Sequence, residues 1–222
     1  VTASLPRCLL FDLDGTLLDS LPGIEYSVQQ ALKTCHLPRP GVSLRTLIGP
    51  PIRTILSTLT GISERQVLDE LESSFLRTYD QHGWRMTTLY PGARSLLESL
   101  SSRNYRLFIA SNKRRSISLE ILKAHQLDEF FEEIATRDSR TPPYASKAEM
   151  IRSLIERRAL APAECLFTGD TMEDAEAAAA NGIRFAYMTH GYGDIPDDTH
   201  VPVAFRFDNF GNFLPLISGA SE

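Results

Sequence analysis

Three features of the chain predict a doubly wound parallel α/β sheet with a small helical domain inserted into it. Short apolar runs of strand length recur, amphipathic helical patterns lie between them, and one long stretch reads as helix after helix with no strand. Cys8-Leu9-Leu10-Phe11 is the first run, and it ends in polar residues and Gly15, as a buried parallel strand does. Runs at 105–110, 165–168, 185–188 and 203–207 repeat the form. Helical spacing over 93–102, 116–125, 146–158 and 172–181 fills the gaps between them. Residues 20–90 break the alternation. Helical patterns at 21–35, 51–59 and 64–82 follow one another with Pro and Gly between them, and the chain returns to the alternating pattern at Pro91-Gly92. The boundaries are therefore a core of residues 1–19 and 91–222 and an insertion of residues 20–90.

The 222 residues are enough for a main domain with a small companion, and 42% apolar content builds a core by burial alone. A net charge of -5 gives no case for nucleic acid or an anionic membrane as partner. Cys8, Cys35 and Cys165 are far apart with no C-x-x-C pair, which argues against a disulfide framework or a zinc site. No apolar run reaches the roughly 20 residues of a membrane span, and residues 1–7 lack a basic segment leading into an apolar one. A cytoplasmic chain acting on a small molecule is the expectation.

The chemistry gathers at predicted strand ends, where open α/β sheets bind ligands. In Phe11-Asp12-Leu13-Asp14-Gly15-Thr16, the two acids stand two residues apart. On an extended backbone they would share one side, with Gly15 allowing a sharp turn and Thr16 offering a hydroxyl to a carboxylate. Asp and Gly also make ordinary turns, so the segment alone decides nothing. Phe167-Thr168-Gly169-Asp170 ends another strand in acid, and Asp174 follows. Carboxylates from two strand ends with a backbone carbonyl form the hard-oxygen set that magnesium prefers. Asp174 has a second reading, as an acid favouring the dipole of a helix's first turn. Ser146-Lys147-Ala148-Glu149 has the capping-box form and puts Lys147 at a helix start. A cation there opposes the dipole, so local stability does not account for it, whereas a phosphate ligand would. Ser111 and Asn112 follow another strand and could hold phosphate oxygens, or simply make a turn.

Taken in order, Asp12-Leu13-Asp14-Gly15-Thr16, Ser111, Lys147 and Gly169-Asp170 through Asp174 resemble the four motifs of the haloacid dehalogenase superfamily phosphatases. The resemblance covers nearly the whole chain, and residues 20–90 are similar to the family's helical cap. Asp19-Ser20, Ile48-Gly49-Pro50-Pro51 and Gly191-Tyr192-Gly193 resemble the phosphoglycolate phosphatase and nucleotidase branch. The resemblance implies a Rossmann-like core and magnesium-dependent hydrolysis of a small phosphorylated metabolite. Asp12 would be the nucleophile, Asp14 the general acid/base, and Ser111, Asn112 and Lys147 the phosphate ligands. The metal would be held by Asp12, the Asp14 carbonyl and Asp170, with Asp174 nearby; Gly15, Thr16 and Gly169 would support them. Many relatives read Lys-Pro where this chain has Lys147-Ala148, and its prolines Pro142 and Pro143 lie upstream, so Lys113 and Lys123 stand as rivals for the phosphate lysine.

An acid at Asp14 sets the chain apart from the family's dehalogenases and its phosphonate-cleaving branch. A nucleoside 5'-monophosphatase, a pyrophosphatase and a sugar-phosphate mutase are the alternatives that keep both acids. A catalytically silent phosphometabolite-binding protein would more naturally have lost one of them. In the insertion, Gly49-Pro50-Pro51 predicts a stiff turn with Pro51 at the first position of a helix, aiming Arg53 at an anionic part of the substrate. The alternative is a solvated surface arginine.

Overall fold

The computed structural model describes residues 5 to 217. Six parallel strands form one sheet in the order β5-β4-β1-β6-β7-β8. They are β1 (Cys8–Phe11), β4 (Arg106–Ser111), β5 (Glu133–Thr136), β6 (Cys165–Gly169), β7 (Arg184–Met188) and β8 (Phe205–Phe207). Helices α4 (Ala93–Ser102), α5 (Arg115–Ala124), α6 (Lys147–Arg157) and α7 (Met172–Ala180) link them. A short helix α8 (Phe213–Ile217) follows β8. In β1 the side chains alternate as a pleat demands: Leu9 and Phe11 enter one apolar core, Cys8 and Leu10 the other. The two cores sit on opposite faces of the sheet, which is why its strands read as continuous apolar runs.

One strand of this six-stranded sheet lies outside the predicted set. β5 begins with a charge and offers Ile134 as its only large apolar residue, so no run announces it. It holds the sheet edge through pairing with β4. Glu133 accepts from Arg158 and pairs with Arg157, both at the end of α6.

Between β1 and α4 the chain leaves the sheet through β2 (Leu18–Asp19) and returns through β3 (Thr88–Leu89). These two pair antiparallel, Leu18 with Leu89 and Asp19 with Thr88. The excursion holds α1 (Leu21–Thr34), α2 (Ile52–Thr60) and α3 (Arg65–Gln81). Each buries one stripe: Ile24, Val28, Ala31 and Leu32 on α1; Ile55, Leu56 and Leu59 on α2; Leu68, Leu71, Phe75 and Tyr79 on α3. Pro51 is the residue before α2 and not its first turn, with extended backbone at ψ 146°. Gly61, at φ 70°, ends that helix. Among the described residues no helix is long and apolar enough to cross a membrane.

α1 packs so closely on the turn after α3 that a Cβ on Gly23 would lie 2.0 Å from the Gly83 carbonyl oxygen. Backbone meets backbone there, and no side chain can yield. Alanine is the better helix former by about 1 kcal/mol. Gly23→Ala should nevertheless destabilise the protein, by the roughly 1–3 kcal/mol that overpacking costs. Urea unfolding measures it, and a stabilised variant would contradict the contact.

Candidate active site

Register brings the site together. β1 lies between β4 and β6, with Phe11 opposite Ile109 and Thr168, so Asp12, Ser111 and Asp170 emerge side by side at the carboxyl edge. Asp12 and Asp14 both line one cavity, as expected, but not as residues of a continuing strand. The strand stops at Phe11, and Gly15 turns the chain at φ 80°. Glycine is obligatory there, since a Cβ would come within 2.1 Å of an Asp170 carboxylate oxygen. Both acids line one cavity but pair with different lysines.

Lys147 occupies the first turn of α6, its side chain 1% exposed. Its ammonium donates to Asp12 Oδ2 at 2.9 Å and to Asp174 Oδ1 at 2.6 Å. Ser146 caps the helix by accepting from the Glu149 N–H at 3.1 Å. The expected reciprocal bond is displaced by one residue: Glu149 accepts from the Ala145 N–H at 2.7 Å. Lys113 is the second cation. It donates to both oxygens of Asp14, at 2.9 and 3.0 Å, and to the Tyr79 hydroxyl of α3 at 2.7 Å. Lys123, the other rival, is exposed in the last turn of α5 and takes no part.

Asp12, Asp170 and Asp174 offer carboxylate oxygens within 4.8 Å of one another, all buried. They differ in what is left to give. Asp174 is saturated: Oδ1 serves Lys147, and Oδ2 accepts from the Thr171 hydroxyl at 2.6 Å and from the N–H groups of Thr171 and Asp170. Asp174 and Thr171 complete a capping box for α7. This favours the helix-start reading of Asp174 over a direct metal ligand. Asp170, directly after Gly169, accepts on Oδ2 from the Tyr192 N–H at 2.7 Å and on Oδ1 from the Thr16 hydroxyl at 3.3 Å. Oδ1 of Asp12 is buried without a hydrogen-bond partner, a costly state for a carboxylate oxygen.

The electrostatics follow from crowding. Burial pushes the Asp12 carboxyl up to about 6; Lys147 pulls it down, Asp174 raises it, and Ser111 pulls it down again. Burial, then Asp174 and Asp12, lift Asp170 well above the carboxylate range. Burial opposes the charge of Lys147, but Asp12 and Asp174 outweigh it and hold the ammonium protonated. Burial opposes Lys113 likewise, and there Asp14 and Tyr79 prevail.

Two expected ligands are turned elsewhere. The Asn112 amide donates to the Gly49 carbonyl and to Glu173, both at 3.0 Å, so its hydrogens tie the helical segment to α7 and do not face a phosphate. Arg53 pairs with Asp69 at 2.7 Å and Glu72 at 2.8 Å on α3, and it does not line the cavity. Pro51 at the cap position rotates the first turn so that Ile52 and Ile55 face inward and Arg53 outward. Ser111, by contrast, is buried at the cavity beside Asp12.

Lys113, expected only as a rival for the phosphate lysine, completes the site as the partner of Asp14, together with Tyr79 and Tyr192, to which no sequence pattern assigned a role. Position after Ser111-Asn112 was the available signal for Lys113. Tyr192 lies in the noted Gly191-Tyr192-Gly193 run. Its hydroxyl accepts from the N–H groups of Ser20 and Leu21, at 2.8 and 3.0 Å, and donates to Asp19 at 2.9 Å. It thus caps α1, where Ser20 makes no side-chain cap.

The Haloacid dehalogenase-like hydrolase family model matches residues 9–188, and the chain belongs to that family. Tyrosine-protein kinase PtkA of Mycobacterium tuberculosis is 32% identical over 204 residues, spanning 89% of this chain and 68% of the kinase. Phosphoglycolate phosphatase 1 of Pseudomonas aeruginosa is 29% identical over 226 residues, 98% of this chain and 82% of the relative. A haloacid dehalogenase-like hydrolase from Streptococcus pneumoniae superposes with a TM-score of 0.85 at 28% identity, covering 94% of this chain and 97% of that one.

The raised Asp12 carboxyl has a consequence for stability. Between its ordinary 3.8 and about 6, the folded chain keeps a proton that the unfolded chain has released. Its stabilising contribution is full below the lower value and is lost as pH rises through the upper one. In metal-free buffer the parent should lose stability relative to Asp12→Asn from about pH 4 to about pH 7. Parallel urea-unfolding profiles for the two proteins would contradict this.

Proposed function

We propose that the chain is a magnesium-dependent phosphatase of small phosphate monoesters, with Asp12 as the residue that takes the phosphoryl group. The observation that carries this reading is the buried, partnerless Oδ1 of Asp12, set beside Asp170 and fixed by the Lys147 bond to Oδ2. One oxygen of this acid lacks a hydrogen bond, its single cation is shared with Asp174, and oxygen donors of this kind suit magnesium. Asp12, Asp170 and the Asp14 carbonyl would hold the ion, and Asp174 would act behind them by orienting Lys147. Bound there, magnesium would offset the negative charge that otherwise repels a phosphate dianion from a carboxylate.

The remaining chemistry falls to the chain. Asp12 attacks phosphorus and forms an aspartyl phosphate, dividing one displacement into two. Lys147 and Ser111 hold phosphoryl oxygens as charge moves onto them. Asp14 gives a proton to the leaving alcohol and then takes one from the attacking water. Lys113 fixes the direction of the Asp14 carboxyl group by donating to both of its oxygens. Residues 20–90 act as a cap on a core of 1–19 and 91–222, with β2 and β3 as the neck between them. The hydrolase family and the similarity to a phosphoglycolate phosphatase over nearly the whole chain support hydrolysis. The kinase relative bears a name from another branch of phosphoryl chemistry.

Asp12→Asn should cut phosphate release by more than about a thousandfold, and Asp14→Asn should slow both half-reactions. Chelation should abolish turnover of a generic aryl phosphate and magnesium should restore it, while calcium, with looser coordination, should not. Beryllium fluoride should give an adduct on Asp12 detectable by fluorine NMR. Full turnover after rigorous metal removal would defeat the magnesium assignment; a folded Asp12→Asn with parental turnover would defeat the nucleophile. Arg53→Ala should change kcat/KM equally on all substrates, as expected of a residue tied within the helical segment.

A further inference from the structure

We infer that the alcohol released by this site is uncharged and apolar, and that the α2 face carrying Ile52 and Ile55 selects it over a short hydroxy acid. The inference rests on the reading of Asp12 and Asp14 as the phosphoryl-transfer pair. Their cavity is small, about 90 Å³, and opens to solvent, so it takes a short leaving group. Opposite the acids its wall is hydrocarbon: Ile24 from α1, Ile52 and Ile55 from α2, Phe75 from α3 and Ile117 from α5. Phase in α2 dictates this, since residues three apart lie on one face.

A carboxylate on the leaving group would need a cation, and the two that line this cavity are Lys113 and Arg114. Lys113 is held by both oxygens of Asp14 and by Tyr79. Taking it away would strip the acid/base of its partner. Arg114 is paired with Asp80. Asn112 repels an anion as well. Gly49 O and Glu173 fix its amide nitrogen, so its remaining polar atom is Oδ1, an acceptor. A carboxylate pressed against this wall loses its water and gains no donor, whereas a hydrocarbon gains by the same burial.

The n-alkyl phosphates from ethyl to hexyl test this without changing the chemistry, because their alcohols differ little in acidity. With magnesium present, kcat/KM should rise about fourfold for each methylene that enters the cavity, the equivalent of ~0.8 kcal/mol. Ethyl phosphate should exceed 2-phosphoglycolate, its carboxylate counterpart of equal carbon number, by at least about tenfold. Ile52→Ser should flatten the chain-length slope and Ile52→Leu should keep it. Ile52 is only partly buried, and circular dichroism with the unfolding midpoint checks that both variants are folded. A flat parental slope, or faster hydrolysis of 2-phosphoglycolate than of ethyl phosphate, overturns the inference and leaves the phosphatase reading standing. Failure to hydrolyse any of these esters, or hydrolysis that survives Asp12→Asn, overturns the phosphatase reading and this inference with it.

Discussion

One buried ammonium, that of Lys147, is the constraint around which the carboxyl edge of this sheet is arranged. It faces Asp12 at the end of β1 and Asp174 at the start of α7, while Asp170 adds a third acid to the same space. One positive charge against three carboxylates does not balance in a low-dielectric interior. The structure meets the excess in two ways. It spends Asp174 on local donors, and it raises the proton affinity of Asp12 and Asp170. An excess of carboxylate of this kind is what the proposed cation would offset.

The helical segment is fastened to this edge through polar contacts with both backbone and side chains. Asn112 reaches the Gly49 carbonyl, and Arg45 donates to the carbonyls of His190 and Gly191. Lys113 reaches Tyr79, and Arg114 pairs with Asp80, both near the end of α3. The apolar contribution comes from one continuous core shared by β1, α1 and α3 on that face. Interfaces that combine apolar packing with exchangeable polar bonds permit motion between their halves.

Much of the sheet was legible because its strands are buried on both faces and so read as apolar runs; β5 was not, since an edge strand with one large apolar side chain leaves no such trace. Asp12, Asp170, Ser111 and Lys147 could be read because each terminates a strand or opposes a helix dipole where stability alone gives no reason for it. Arg53 and Asn112 failed for a different reason. Their residue types suit an anion, but their direction is set by partners 19 and 61 residues away, Glu72 and Glu173, which no local pattern encodes. The same holds for the different lysine partners of Asp12 and Asp14: strand periodicity says nothing of them, and the strand ends before either acid. Lys113 could be named as a rival phosphate lysine, but its pairing with Asp14 and Tyr79 is a tertiary fact.

Tyr192 has two ends in two places. Its phenol terminates α1, where the helical segment begins, and its amide holds Oδ2 of Asp170. A rotation of α1 that parted it from the phenol would take from the Ser20 N–H its acceptor, leave the Leu21 N–H only Asp19, and free the tyrosine whose backbone orients that carboxylate. Segment position and Asp170 geometry are thus bound into one equilibrium. By thermodynamic reciprocity, whatever steadies Asp170 also biases α1 toward its docked position, with the same coupling free energy in both directions.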